Sequence, residues 1–139
     1  MAQDTILIVE DDADLAFVIK TALEDQGYAV RTAKDGLEAL EMAMEEPPKL
    51  ILMDLMLPKM DGYAVSMKLK SVSQTADVPI IVLTAYAHLK KFGEMKKDTS
   101  VLAYLEKPTP MKQLLEIIGN VLKPPKSSDK GGFGTSVTE

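Results

Sequence analysis

The stretch LILMDLMLPKMDG, residues 50–62, decides the fold. Its opening residues Leu50, Ile51, Leu52 and Met53 form an unbroken apolar run. A run of this kind suits a strand buried on both faces. Asp54 then puts an acid at the end of that strand. A lone carboxylate there is costly unless something pairs with it or uses it. Asp61 and Gly62 read as a turn and the start of a helix. A two-sided strand wants helices on both faces of a parallel sheet, so strands and helices should alternate through the rest of the chain.

They do. TILIVE, residues 5–10, is a nearly continuous β-branched run and gives the first strand. Leu15, Val18, Ile19, Ala22 and Leu23 fall on one helix face, and Gly27 ends that helix. YAVRTA, residues 28–33, is shorter and more polar, which predicts an edge strand. Leu37, Leu40 and Met44 form a second helical stripe, stopped by Pro47 and Pro48. Val65, Leu69 and Val72 mark the third helix, and VPIIVLT, residues 78–84, the fourth strand. A fourth helix is expected over 87–97, anchored by Leu89 and Phe92 among lysines. VLAYLE, residues 101–106, is the fifth strand. The last helix is predicted to take Thr109 as N-cap and Pro110 at its first position. Met111, Leu114, Leu115, Ile118, Val121 and Leu122 give it an apolar face. The expected organisation is one domain over 1–123 and a flexible Pro, Ser and Gly-rich tail over 124–139. Five βα units predict an α/β fold: a doubly wound, five-stranded parallel sheet of order 2-1-3-4-5, helices on both faces.

Composition narrows the function. The 139 residues suit one domain with a proper core, and 46% hydrophobic with 27% charged residues is ordinary for a soluble protein. A net charge of -5 argues against direct DNA binding. The absence of cysteine excludes disulfides, thiolate metal sites and cysteine nucleophiles. The N-terminus MAQDTILIVEDD is no signal peptide, and no apolar run reaches the roughly 18 residues of a membrane helix. These features predict a cytoplasmic protein without membrane insertion.

In a doubly wound sheet the ligand site lies beyond the carboxyl ends of the strands, where the strand order reverses. The first strand ends in Glu10, Asp11 and Asp12, the third in Asp54, the fourth in Thr84, and the fifth leads to Lys107 and Pro108. Glu10, Asp11 and Asp54 brought together would repel one another, and a hard divalent cation would stabilise them. Magnesium fits best, because it accepts one or two carboxylates and keeps several waters. A carboxylate beside such a metal can act as nucleophile toward a phosphoryl group. That transfer needs chiefly positioning and charge neutralisation, for which Lys107 offers a cation and Thr84 a hydroxyl. Asp54 is therefore the expected phosphoacceptor.

The blocks IVEDD, LILMDLMLPKMDGYA, VPIIVLTA and YLEKP resemble, in order and spacing, the response-regulator receiver domain of two-component signalling, over residues 4–123. The resemblance implies that Asp54 takes its phosphoryl group from a sensor histidine kinase. It implies that Asp11 binds magnesium directly, Glu10 through water, and the Met56 backbone carbonyl supplies a further oxygen. Thr84 and Lys107 would bind the phosphoryl oxygens, the Lys107–Pro108 bond would be cis, and Tyr104 would be the switch aromatic that follows Thr84. The face of the fourth helix, fifth strand and last helix would then change its binding to a protein target. Met56 and Tyr86, two places after the acceptor and the threonine, would flank the path of the hydrolytic water. Neither can orient water, so self-dephosphorylation should be slow.

Taken singly, each signal has a plainer reading: a solvated helix start for the acids, an exposed helix residue for His88, core filling for the methionines. Two other readings fall away. A dehalogenase-type phosphatase wants a second Asp where Met56 stands, and a nucleotide site wants a Gly-rich loop after the first strand. The expectation is a stand-alone, monomeric receiver that is a signalling domain rather than an enzyme. Two alternatives stay open: a relay intermediate serving a histidine phosphotransfer protein, and a docking module independent of phosphorylation. The stretch from His88 to Leu102 departs from the family pattern.

Overall fold

The computed structural model describes residues 5–85 and 101–122. The chain divides into two compact units, Met1–Thr109 and Pro110–Glu139. The first holds β1 (Thr5–Val9), α1 (Ala13–Asp25), β2 (Ala29–Ala33), α2 (Gly36–Glu45), β3 (Leu50–Met53), α3 (Gly62–Lys70), β4 (Ile80–Thr84) and β5 (Val101–Glu106). The second holds one described helix, α4 (Met111–Leu122). The helix expected over 87–97 and the tail expected over 124–139 lie outside the described residues, as do Tyr86 and His88.

All strand pairings are parallel and the order is β2-β1-β3-β4-β5, as expected. β1, β3 and β4 are the central strands and are almost entirely buried. Their side chains alternate between two layers. Leu7, Val9, Ile51, Met53, Ile80 and Val82 join Ala39, Leu40 and Ala43 of α2 and Val65 and Leu69 of α3 in one cluster. Ile6, Ile8, Leu52 and Ile81 point to the opposite layer, the side of α1, which buries Ala16, Ile19 and Leu23. β2 is an edge with a half-exposed pattern, in keeping with its polar sequence.

The other edge holds a surprise. Ile80 pairs with Val101 but Ile81 pairs with Ala103, so Leu102 is an extra residue in β5, a β-bulge, and is exposed. An inserted residue reverses the parity of everything after it. Tyr104 consequently pairs with Val82 and packs against the α2–α3 cluster, the same layer as Val101.

Helix boundaries follow local chemistry. Asp12, Asp35 and Asp61 cap α1, α2 and α3, each side chain accepting from N–H groups of the first turn. Gly27, at φ 97°, ends α1 as expected, with its own N–H on Glu24 and the Tyr28 N–H on the Leu23 carbonyl.

Three expectations need correction. The buried stripe of α1 is Ala16–Ile19–Leu23, and Val18 is exposed, because the helix is turned toward Ala16. Leu37, in the first turn of α2, is exposed, and Ala39 and Ala43 take the inner positions. Thr109 does not cap the last helix: its hydroxyl donates to the Glu106 carbonyl at 2.8 Å. That helix starts at Met111, and the Pro110 carbonyl accepts its first bond from the Leu114 N–H at 3.1 Å. Among the described methionines, Met53 lies fully in the core and Met42, Met44 and Met60 pack against it, as expected, while Met56 and Met67 are exposed.

Candidate functional site

The site is built on the rim of the sheet, and the sheet's ladder extends into it. Beyond the last residue of β1, the Glu10 N–H donates to the Ala33 carbonyl of β2 at 2.9 Å. Beyond β3, the Asp54 N–H donates to the Val9 carbonyl of β1 at 3.1 Å. Beyond β5, the Lys107 N–H donates to the Thr84 carbonyl of β4 at 2.9 Å. Each group thus has its backbone tied to the neighbouring strand, which fixes where its side chain starts.

The side chains converge. Lys107 Nζ donates to Glu10 Oε1 at 2.7 Å and to Asp54 Oδ2 at 3.0 Å. The other Glu10 oxygen accepts from the Asp12 N–H at 3.2 Å, and Asp54 Oδ1 accepts from the Met56 N–H at 3.2 Å. Glu10 and Asp54 are both 6% exposed, and Asp11 beside them is open to solvent. Thr84, wholly buried, ends the adjacent strand. The Lys107–Pro108 peptide is cis. Next to Glu10 and Asp11 lies a cleft of about 460 Å³ bordered by Phe17, Lys20, Thr32 and Lys34.

Electrostatics follow from this packing. Burial raises the Glu10 pKa above its ordinary value, and the hydrogen bond from Lys107 recovers only part of the cost. For Lys107, burial pulls the pKa down, but its bonds to Glu10 and Asp54 outweigh that and leave it raised. Lys107 is therefore an ammonium at neutral pH.

One oxygen from each of Glu10, Asp11 and Asp54 lies within 4.8 Å of the others. Among the described residues three carboxylates meet one ammonium there, that of Lys107, an excess of acid that a divalent cation would offset. An all-oxygen donor set with one solvent-facing member fits magnesium, which retains waters. Of the groups expected from the sequence, Glu10, Asp11, Asp54, Met56 and Lys107 are thus brought together, and Thr84 and Tyr104 stand on the adjoining strands β4 and β5. Tyr86 lies outside the described residues.

Comparison with known proteins agrees with this geometry. The family description Response regulator receiver domain matches residues 6–119. The chain belongs to the response regulator receiver family. Among curated relatives of this receiver is the DNA-binding dual master transcriptional regulator RpaA of Synechocystis, 35% identical over 85% of this chain but only 48% of its own length. The receiver spans about half the length of that and several other transcriptional regulators it matches. The polar-differentiation response regulator DivK of Brucella anthropi is 34% identical over 85% of this chain and 95% of its own length. Among solved structures, the receiver domain of a sensor histidine kinase from Pseudomonas aeruginosa is 34% identical, covers 86% of this chain and 97% of its own, and has a TM-score of 0.76. That structure holds a magnesium ion coordinated in its active-site cleft.

The sequence reading missed one feature, the meeting of Asp35 and Gly36 with the loop 55–61. The signal was there: an Asp–Gly pair directly after an edge strand, and a Pro–Lys–Met–Asp–Gly loop after the acceptor strand. Nothing local said that the two would touch.

Proposed function

We propose that Asp54 accepts a phosphoryl group from the phosphohistidine of a sensor histidine kinase, and that the acyl phosphate alters the surface around β5. The observation that carries this reading is Lys107 bridging Glu10 and Asp54 beside a third acid, Asp11. An oxygen of Asp54 forms the new P–O bond while the donor's P–N bond breaks. The electron pair of that bond stays on the imidazole nitrogen, which takes a proton from solvent. Lys107 supplies a fixed positive charge opposite the transferring oxygens. Asp11, Asp54 and the Met56 backbone carbonyl, with Glu10 through water, would hold a magnesium ion, which would supply further charge neutralisation.

The new group adds about -1.5 to -2 of charge, by analogy with other phosphorylated side chains. Thr84, at the end of β4, offers a hydroxyl to a phosphoryl oxygen, and Tyr104, one strand over, follows its displacement. The Met56 side chain is exposed next to Asp54 and has no carboxylate or amide to orient water, which favours a slowly hydrolysed phosphate. The test is labelling by a small phosphodonor such as acetyl phosphate with magnesium. Wild type takes up one phosphoryl group, and Asp54→Asn folds normally but takes none. Equal labelling of the two proteins refutes the assignment.

A further inference from the structure

Residues 55–61 connect the acceptor strand to α3, and the corner that begins α2 grips this loop. The Gly36 N–H donates to the Pro58 carbonyl at 3.3 Å. A Cβ on Gly36 would run into the backbone carbonyl of Met60, so the two segments cross backbone to backbone with no room for a side chain. Lys59, between them, has φ 68°, the left-handed region that a residue with a Cβ enters at a cost. Its Nζ lies 3.6 Å from Asp35 Oδ2. Asp35 is buried, and its other oxygen accepts from the Glu38 N–H at 2.7 Å, so the corner is itself held firmly. At the near end of the loop, the Gly62 N–H donates to the Leu55 carbonyl at 2.8 Å, and the Met56 N–H donates to Asp54 Oδ1 at 3.2 Å.

We infer that the crossing of Asp35 and Gly36 with residues 58–60 is a positioning device for the Asp54 carboxylate. A carboxylate rotates readily about its last bond, since that torsion is broad and shallow. Two donors on different sides define its plane: Lys107 Nζ on Oδ2 and the Met56 N–H on Oδ1. Lys107 is a flexible side chain, whereas a peptide N–H is as rigid as its loop. The crossing stiffens that loop at the end away from Asp54. Asp35, Gly36 and Lys59 act through the loop and are positioning residues, not catalytic ones. The inference rests on the reading that Asp54 accepts the phosphoryl group, where a misplacement of about 1 Å costs on the order of a hundredfold in rate.

The test uses Gly36→Ala and Lys59→Gly in the full chain. Three quantities are measured: thermal melting, hydrogen exchange of the Met56 amide, and the labelling rate with acetyl phosphate and magnesium. Gly36→Ala should speed Met56 exchange and slow labelling by about tenfold each, and Lys59→Gly by about threefold, with cooperative melting kept. A purely structural corner would lower the melting temperature while Met56 exchange and labelling of the folded protein stayed at wild-type values. That result overturns the inference. Should Gly36→Ala fail to fold, Lys59→Gly decides alone, because glycine sits at ease at φ 68°. If wild type takes no label, the phosphoacceptor reading fails, and Met56 exchange in the variants still decides whether the crossing holds the loop.

Discussion

Glu10 is 6% exposed and only 2.7 Å from Lys107, yet burial dominates and raises its pKa above the usual 4.5. An acid whose folded pKa lies above its unfolded value binds its proton more tightly in the native state. Its contribution to stability is complete below the unfolded value and is lost as pH rises through the folded one. At neutral pH without metal, ionised Glu10 therefore burdens the fold. Glu10→Gln should melt above wild type at pH 7 in a chelator, and the gap should close as pH falls below the unfolded value of 4.5, where Glu10 takes up its proton in both states. Magnesium should reverse the order, since a ligand at a hundred times its Kd adds about 2.7 kcal/mol to the protein that binds it. A metal-free Glu10→Gln that melts below wild type at pH 7 contradicts this account. Lys107 has the same sign: its raised pKa contributes stability below the unfolded value of 10.5, and that contribution fades as pH rises through the folded one.

At the scale of the element, three aspartates do the same work in three helices, and Asp61 gives the cleanest measurement. Its Oδ1 accepts from the Ala64 N–H at 2.9 Å at the start of α3, next to the loop that leaves Asp54. Asp61→Ala should cost about 1 kcal/mol in urea unfolding, and Asp61→Ser, which keeps an acceptor, only a few tenths. Equal losses would show that the cap bond is not what Asp61 contributes. Element identity was readable because the strands are short unbroken β-branched and apolar runs, whereas the helices show apolar stripes spaced three and four residues apart. Element rotation was less readable. Val18 and Leu37 have the spacing of buried residues yet face solvent, because small alanines at 16, 39 and 43 allow the helices to approach the sheet on those sides. Spacing records only that a face exists, and the width of the gap decides which side chains fill it.

For the whole molecule, the sheet is the scaffold that carries the proposed switch residues. Asp54 directly follows β3, and Thr84 and Tyr104 lie on β4 and β5, joined by the Ile51–Ile80 through Met53–Val82 register and the Val82–Tyr104 rung. Beryllofluoride with magnesium, a phosphate mimic, should therefore shift the NMR amides of Thr84 and Tyr104 as well as those of residues 54–56. The same addition to Asp54→Asn should leave all of them in place. Shifts confined to residues 10–12 and 54–56 in wild type would show that the switch does not travel across β4 to β5.

By itself the sequence determined the class of fold, the strand order and the meeting of Glu10, Asp11, Asp54 and Lys107 at one rim. The reason is physical: unbroken apolar strands alternating with helical stripes admit few topologies, and each of these groups stands where a strand stops. Only the tertiary structure decided the rest. Tyr104 reached the α2–α3 layer because the Leu102 bulge reversed strand parity, which a strict period of two would have denied. That Gly36 meets Met60 was decided in three dimensions, because the turn signal in each segment does not say which other segment it will touch. Periodicity is a local quantity, whereas register and close approach depend on what two distant segments do together.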